Sequence, residues 1–458
     1  MSCEVFMPFR PLLRIAALSL VAGLAAAGPT AGPAAAKVFS PTTFTLANGL
    51  EVVVITNMRA PIVTHMVWYH VGAADEPRGK SGVAHYLEHL MFKGTDQIKP
   101  GEFSKIVALN GGRDNAFTTH DYTGYYQNVA SDRLPLVMRM EADRMANLRL
   151  TDAVARPELD VVLEERRMRT DNDPASQLYE QAQRALFIHH PYGVPVIGWE
   201  PEIRALTYED ALAFYRTWYA PNNATLVIAG AVTADAVKPL AEQYYGPIPA
   251  RPVPARVRVT EPEHVAAVRV EMTSDRVRQP SWSRRYVAPS HHAGDTQLAY
   301  PLEVLAEILG GGETSRLNRA LVVDQHVAAS VGADYEATAL DLGSFVVYAS
   351  PHPGGEIAAL ERAVEAEVRH VCEDGVSDDE LARAKLRLQA ATIYALDSLS
   401  TGARTIGTAL STGSTVDDVE AWPERIGAVT AEQIRNAARA VLKDDTAVTS
   451  LLKPAKTS

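Results

Sequence analysis

The sequence predicts an α+β protein of two similar units, each a mostly antiparallel sheet with helices on one side. Three observations carry this. Short apolar and β-branched runs bounded by turn residues alternate with longer helical stretches along all of residues 44–452. The order of strands and helices in the first half recurs in the second. Between them, Pro247, Pro249, Pro252 and Pro254 stand at a density that forbids regular structure.

The first unit opens with a hairpin, Phe44–Ile55, turned at Asn48-Gly49. A strand at Ile62–Tyr69 follows. Helical stretches then carry His85–His89, Glu158–Thr170 and Ala175–Phe187. A helix at Tyr208–Tyr219, a strand at Ala224–Ala229 and a helix at Ala234–Tyr245 close the unit. The second unit begins with strands at Ala267–Met272 and Ser281–Ala288, with helices from Leu298 onward. A strand at Gly343–Ala349, a long helix at Asp378–Ile393 and a strand at Ala447–Leu452 complete it. The expected boundaries are 37–246 for the first domain, 247–264 for the linker and 265–458 for the second domain.

Residues 1–36 stand apart. Arg10 and Arg14 precede an apolar run, Ile15–Ala27, that is short for a membrane span, and small residues follow up to Ala36. This is the pattern of a secretory signal peptide, which predicts a periplasmic or secreted protein, with a retained N-terminal anchor as the alternative. Cys3 leaves with that segment and Cys372 remains alone, so neither an intrachain disulfide nor a thiolate metal site is expected. Charged residues are 22% and hydrophobic residues 47% of 458, ordinary values for a soluble globular protein with at least two cores. The formal charge of −11 argues against nucleic-acid binding. No second apolar run is long enough to span a membrane in the mature chain.

The residues with chemistry begin at His85-Tyr-Leu-Glu88-His89. Two histidines four apart lie on one helix face, so both imidazoles reach one metal ion. Glu88 sits beside that face as a general base, and the order H-x-x-E-H is the inverzincin signature. A solvated helix could carry the same letters. Val83, Ala84, Tyr86, Leu87 and Leu90 make this one largely apolar, however, and buried polar groups need a partner or a metal.

A catalytic zinc site takes three protein ligands. Downstream, Pro157–Met168 reads as a helix with Pro157 near its first turn. Glu158 and Glu165, two turns apart, share one face. Glu164 is turned about 100° away, toward a surface pair with Arg167. Glu165 is assigned as the third ligand and Glu158 as the group that orients a ligand or the water.

The run from Asn48-Gly49-Leu50 through Gly82–Thr95 resembles the pitrilysin/insulinase family of zinc peptidases, in the branch of mitochondrial processing peptidase and its bacterial relatives. The resemblance implies one Zn²⁺ per chain and the same third ligand, Glu165, at the end of a helix some 75 residues on. It also implies a fold in which two like domains form half of a clamshell. Leu109–Tyr126 resembles the loop and edge strand along which the family pairs the substrate backbone, which assigns Asn115, Ala116 and Phe117 to substrate binding. His120 in that stretch receives no role. The second half carries Tyr300–Ile308 at the position of the motif, without a histidine, so no second metal is expected.

One departure matters. Val322 and Ala329 stand where active relatives bring an Arg and a Tyr to the substrate carbonyl. A donor there stabilises a transition state by about 3–4 kcal/mol in the best-measured oxyanion site. Tyr335 is a local substitute in the wrong register. The expectation is therefore a zinc endopeptidase for extended peptides, the metal-bearing subunit of a heterodimer whose homologous partner supplies Arg and Tyr. A self-sufficient homodimer and a non-catalytic scaffold subunit are the alternatives.

Overall fold

Sheets covered on both faces dictate the arrangement. The structure, a computed structural model, describes residues 37–395 and 397–455, so the expected signal peptide lies outside the described residues. The first half contains β1 (Thr42–Thr45), β2 (Glu51–Thr56) and β3 (Ile62–Tyr69), then α1 (Val83–Leu90) and α2 (Glu102–Leu109). β4 (Arg113–Thr118) and β5 (Thr123–Ala130) follow, then α3 (Leu134–Asn147), α4 (Asp152–Arg166) and α5 (Pro174–Leu186). α6 (Glu200–Arg204), α7 (Tyr208–Trp218), β6 (Ala224–Gly230) and α8 (Ala234–Tyr244) complete this half.

Residues 249–265 carry neither helix nor strand. The second half contains β7 (Val268–Ser274), β8 (Ser281–Ala288), α9 (Ala299–Gly310), β9 (Ala328–Tyr335) and β10 (Gly343–Pro351). Five helices follow: α10 (Ile357–Asp374), α11 (Asp378–Ala395), α12 (Leu399–Thr412), α13 (Val416–Ala428) and α14 (Ala431–Val441). β11 (Val448–Pro454) is the last element among the described residues.

The two sheets repeat one topology. The first has the order β1-β2-β6-β3-β5-β4 and the second β7-β11-β8-β10-β9. In each, one parallel pair, β2 with β6 and β7 with β11, joins an otherwise antiparallel set. β1 is the extra strand of the first sheet. In this repeat α9 follows β8 as α1 follows β3, and it contains no histidine.

Both faces of the first sheet are covered, which is why Val52–Ile55 reads as a continuous apolar run. Val52, Val54, Val63, Val67 and Tyr69 face the helices of their own half. Val53, Ile55, Met66, Trp68, Phe117 and Val227 face the other way, onto Ala403 and Ile406 of α12. The exchange is mutual. Ala182 and Leu186 of α5, from the first half, pack with Val448 of β11 on the second sheet, and α5 also lies against β7 and β8. Each sheet thus has its own helices on one face and a helix of the other half on the opposite face.

α4 begins at Asp152, five residues before Pro157, so Pro157 lies inside the helix rather than near its first turn. Thr151-Asp152 supplies an earlier start, with an acid in the first turn. The imide at 157 leaves the Ala153 carbonyl without its i+4 donor.

A buried polar junction joins the halves through the linker. The Asp121 carboxylate accepts from the Tyr192 hydroxyl at 2.6 Å, from Arg258 at 3.0 Å and from the Leu340 amide at 3.1 Å. Arg258 also donates to Asp75 at 2.5 Å, and Arg256 donates to the Asp121 carbonyl at 2.6 Å. Burial works against the Asp121 anion, but Arg258, the Tyr192 hydroxyl, the Leu340 amide and Arg256 outweigh it and hold its titration below the ordinary carboxylate value. A depressed carboxyl stabilises the fold above its unfolded pKa, and that stability is lost as pH falls through the folded value. Asp121→Asn is expected to lower stability at pH 7 by about 1–3 kcal/mol, because two largely buried guanidinium groups each lose one of two counter-charges while Asp75 remains. The deficit should shrink toward acid pH. Denaturant titrations across pH read both; an unchanged midpoint at pH 7 removes Asp121 from this role.

Candidate metal centre

The short helix α1 needs help to form, since Gly82 before it lies at φ 89° and offers no capping side chain. More distant groups satisfy its first amides. The Glu76 carboxylate accepts from Gly82 N–H at 3.0 Å and from Ala84 N–H at 2.8 Å. Glu202 accepts from Ser81 N–H at 2.8 Å, and the Ser81 hydroxyl accepts from Trp199 N–H at 2.9 Å. Every residue of α1 is buried, including His85, Glu88 and His89.

α4 crosses this helix. Leu159 and Val162 enter the core, while Glu158 and Glu165 face α1. The Tyr86 hydroxyl donates to the Ala155 carbonyl at 2.7 Å. Glu165 Oε2 lies 3.2 Å from His89 Nε2 and 3.8 Å from His85 Nε2. One ligand atom from each of the three residues lies within 4.8 Å of the others, the single such grouping of metal-ligating side chains among the described residues. Donors around a tetrahedral zinc stand about 3.3 Å apart. The donor set therefore fits that ion.

Electrostatics agree with the fit. His89 Nδ1 meets Glu158 Oε1 at 2.9 Å, which leaves Nε2 facing the pocket, buried and without hydrogen-bond geometry to any group. Burial disfavours the His89 imidazolium, but Glu158 and Glu165 outweigh it and raise its pKa to about 9. Burial, with His89 beside it, pushes His85 down to about 3. Glu158 and Glu165 are held below the ordinary carboxylate value despite burial, by His89 with Lys93 and by the two histidines with Arg169, respectively. Two carboxylates thus favour positive charge among buried side chains, as a site for a dication must.

Three supporting groups were not assigned from sequence. The Thr118 hydroxyl donates to Glu88 Oε2 at 2.5 Å, so β4 reaches the carboxylate next to the histidines. Lys93 Nζ lies 2.5 Å from Glu158 Oε2, and Arg169 lies 2.8 Å from Glu165 Oε1. Lys93 and Arg169 each follow a site residue by four, the one signal that could have marked them. Glu164 pairs with Arg167 at 2.6 Å, away from the pocket.

Asn115, Ala116 and Phe117 lie on β4, which ends the order of the first sheet; Ala116 and Phe117 are buried. His120 Nε2 meets the Val194 carbonyl at 2.9 Å and tilts against Tyr192, joining two loops. Val322 lies in a π-helical stretch, Asn318–Asp324, and Ala329 is exposed on β9 at the end of the second sheet. Tyr335 donates its hydroxyl to the Pro289 carbonyl, so that hydroxyl is committed within its own half.

Comparison with known proteins gives the context. Residues 51–199 match the family model described as Insulinase (Peptidase family M16), and 205–388 match the Peptidase M16 inactive domain. The zinc protease PqqE of Helicobacter pylori is 32% identical over 362 residues, 78% of this chain and 80% of that protein. The crystal structure of a protease from Helicobacter pylori superposes with a TM-score of 0.84 at 28% identity, covering 91% of this chain and all of the other (100%). The fold also matches the periplasmic protease PqqL from Escherichia coli, with a TM-score of 0.77 at 18% identity, across 91% of this chain but 48% of that one. With both family models matched along its length and a zinc protease aligned over most of it, the chain belongs to the insulinase family of peptidases, family M16.

Proposed function

We propose that this chain is a zinc-dependent endopeptidase for extended or unfolded peptides, and the metal-bearing subunit of a heterodimer that closes around them. The observation that carries the reading is the convergence of His85, His89 and Glu165 in one buried pocket beside Glu88. His85 Nε2, His89 Nε2 and Glu165 Oε2 are the proposed ligands of one ion, and Glu158 fixes the His89 ring through Nδ1. When bound, zinc supplies Lewis-acid polarisation of a carbonyl and acidifies water.

Glu88 is the general base. Its carboxylate takes a proton from the attacking water and returns it to the leaving amine, while Thr118 holds Oε2 in place. Thr118 lies one residue beyond Asn115–Phe117, so a peptide running along β4 passes the base. The strand's place at the end of the sheet and its contact with Glu88 support this assignment.

The partner is inferred from Val322 and Ala329, which supply no donor, and from Tyr335, whose hydroxyl is already used. We also propose the domain division 37–246, 247–264 and 265–458, which the repeated strand order supports. Residues 1–36 are proposed to direct export to the periplasm or beyond. No helix among the described residues is long and apolar enough to cross a membrane.

The test is cleavage of a library of unstructured peptides by the mature chain, alone and mixed with a homologous chain lacking the histidines, with and without chelator. Chelator-sensitive cleavage only after mixing is the expected result. Cleavage by the chain alone would favour a self-sufficient homodimer, and zinc binding without cleavage in either case would favour a scaffold.

A further inference from the structure

Arg166 follows the third ligand directly, yet its guanidinium is turned away from the metal pocket and is buried, with the residue 6% exposed. An arginine at a helix end is ordinarily a solvated charge, and burying one is poor evidence of stabilisation by itself. Its contacts are specific. Glu180 of α5 grips it with both oxygens, at 2.9 and 3.0 Å, and Nη1 also donates to the Gly198 carbonyl at 2.8 Å.

Gly198 leads to the other two ligands. It lies at φ +93° against Gly82 at φ +89°, the residue that starts α1. A Cβ on Gly198 would meet the Ser81 carbonyl at 2.5 Å, and one on Gly82 would meet the Ile197 carbonyl at 2.5 Å. The two backbones are packed so closely that neither moves without the other. The hydrogen bond from Trp199 N–H to the Ser81 hydroxyl reinforces that contact.

We propose that Arg166 is a positioning residue: it sets the separation of the helix bearing His85 and His89 from the helix bearing Glu165. Along α4, the hydrogen bonds to α1 from Tyr86 to Ala155 and between His89 and Glu158 lie in the first half of the helix, away from Arg166. Arg166, through Gly198 and Gly82, completes the frame at the His85 end. The inference rests on the zinc reading for its purpose, but the mechanical link can be tested without metal.

The experiment compares the full mature chain with Arg166→Met/Glu180→Met, which removes both charges at similar volume, and with Arg166→Lys, which keeps one donor. Three quantities are read: the metal-free thermal midpoint, amide exchange over residues 83–89 in metal-free protein, and zinc affinity by competition with a chromophoric chelator. In the folded double variant, exchange in the first turn of α1 should accelerate and zinc affinity should fall by about 10–100-fold. Arg166→Lys should recover part of both, and it decides alone if the double variant does not fold. Wild-type exchange and wild-type zinc affinity in a folded variant would overturn the proposal. If the unaltered chain takes up no zinc, the zinc reading fails by itself, and amide exchange then keeps or overturns the tie.

Discussion

Glu88→Gln is expected to leave one zinc per chain in place while lowering kcat/KM for peptide cleavage by about 10²–10⁴-fold. The substitution is nearly isosteric, and the amide oxygen still accepts from Thr118, so the strand–helix contact survives. An amide cannot hold the proton of the attacking water, which is the step the carboxylate serves. Glu88 is not among the three converging side chains proposed to hold the ion, so metal content should not change. Metal analysis and a quenched-fluorescence peptide assay, run in whichever assembly the unaltered protein cleaves, separate the two effects. Full turnover by the glutamine variant would remove Glu88 from the chemistry.

His85→Ala is expected to take metal and activity together. Three ligands sharing an apparent zinc binding free energy of about 10–16 kcal/mol contribute about 3–5 kcal/mol each, so affinity should fall by about 10²–10⁴-fold. The metal-free fold should tolerate the change, because His85 Nδ1 has no hydrogen-bond partner among the described residues and the ring is held neutral by burial. The expected result is a soluble variant with an unchanged metal-free thermal midpoint, little zinc and background cleavage. A variant that kept stoichiometric zinc would place the ion elsewhere.

What could be seen from sequence divides along a physical line. β3 and β8 have the expected limits because β-branched and aromatic runs end at turn residues, a local signal. The histidine pair and the Glu158/Glu165 pair follow from helical period alone, and the side chains of both pairs now meet. Pro157 misled because a proline suits the first turn, although a helix whose packing is strong enough accepts one inside. Thr118 on Glu88 was out of reach, since it joins a strand and a helix thirty positions apart in the chain, a pairing only the folded sheet creates. Arg166 was out of reach for another reason. Its composition and position read as solvated charge, and only the approach of Glu180 on α5 and of Gly198 gives it partners indoors. Nor does the apolar stripe of α5 say which sheet it covers; periodicity reports a buried face and is silent on its partner.

That exchange of α5 and α12 has a consequence for how the chain comes into being. While the protein is being synthesised, the first sheet has Trp68, Met66 and Val53 turned outward with nothing over them until residues 399–412 have emerged. For that interval the nascent chain presents a sticky apolar surface, and closure must wait for a contact more than three hundred residues away, which slows folding and invites aggregation. Severing the chain in the linker would not yield two autonomous domains. It would yield two fragments that each bear the other's missing cover, and that should regain solubility when mixed.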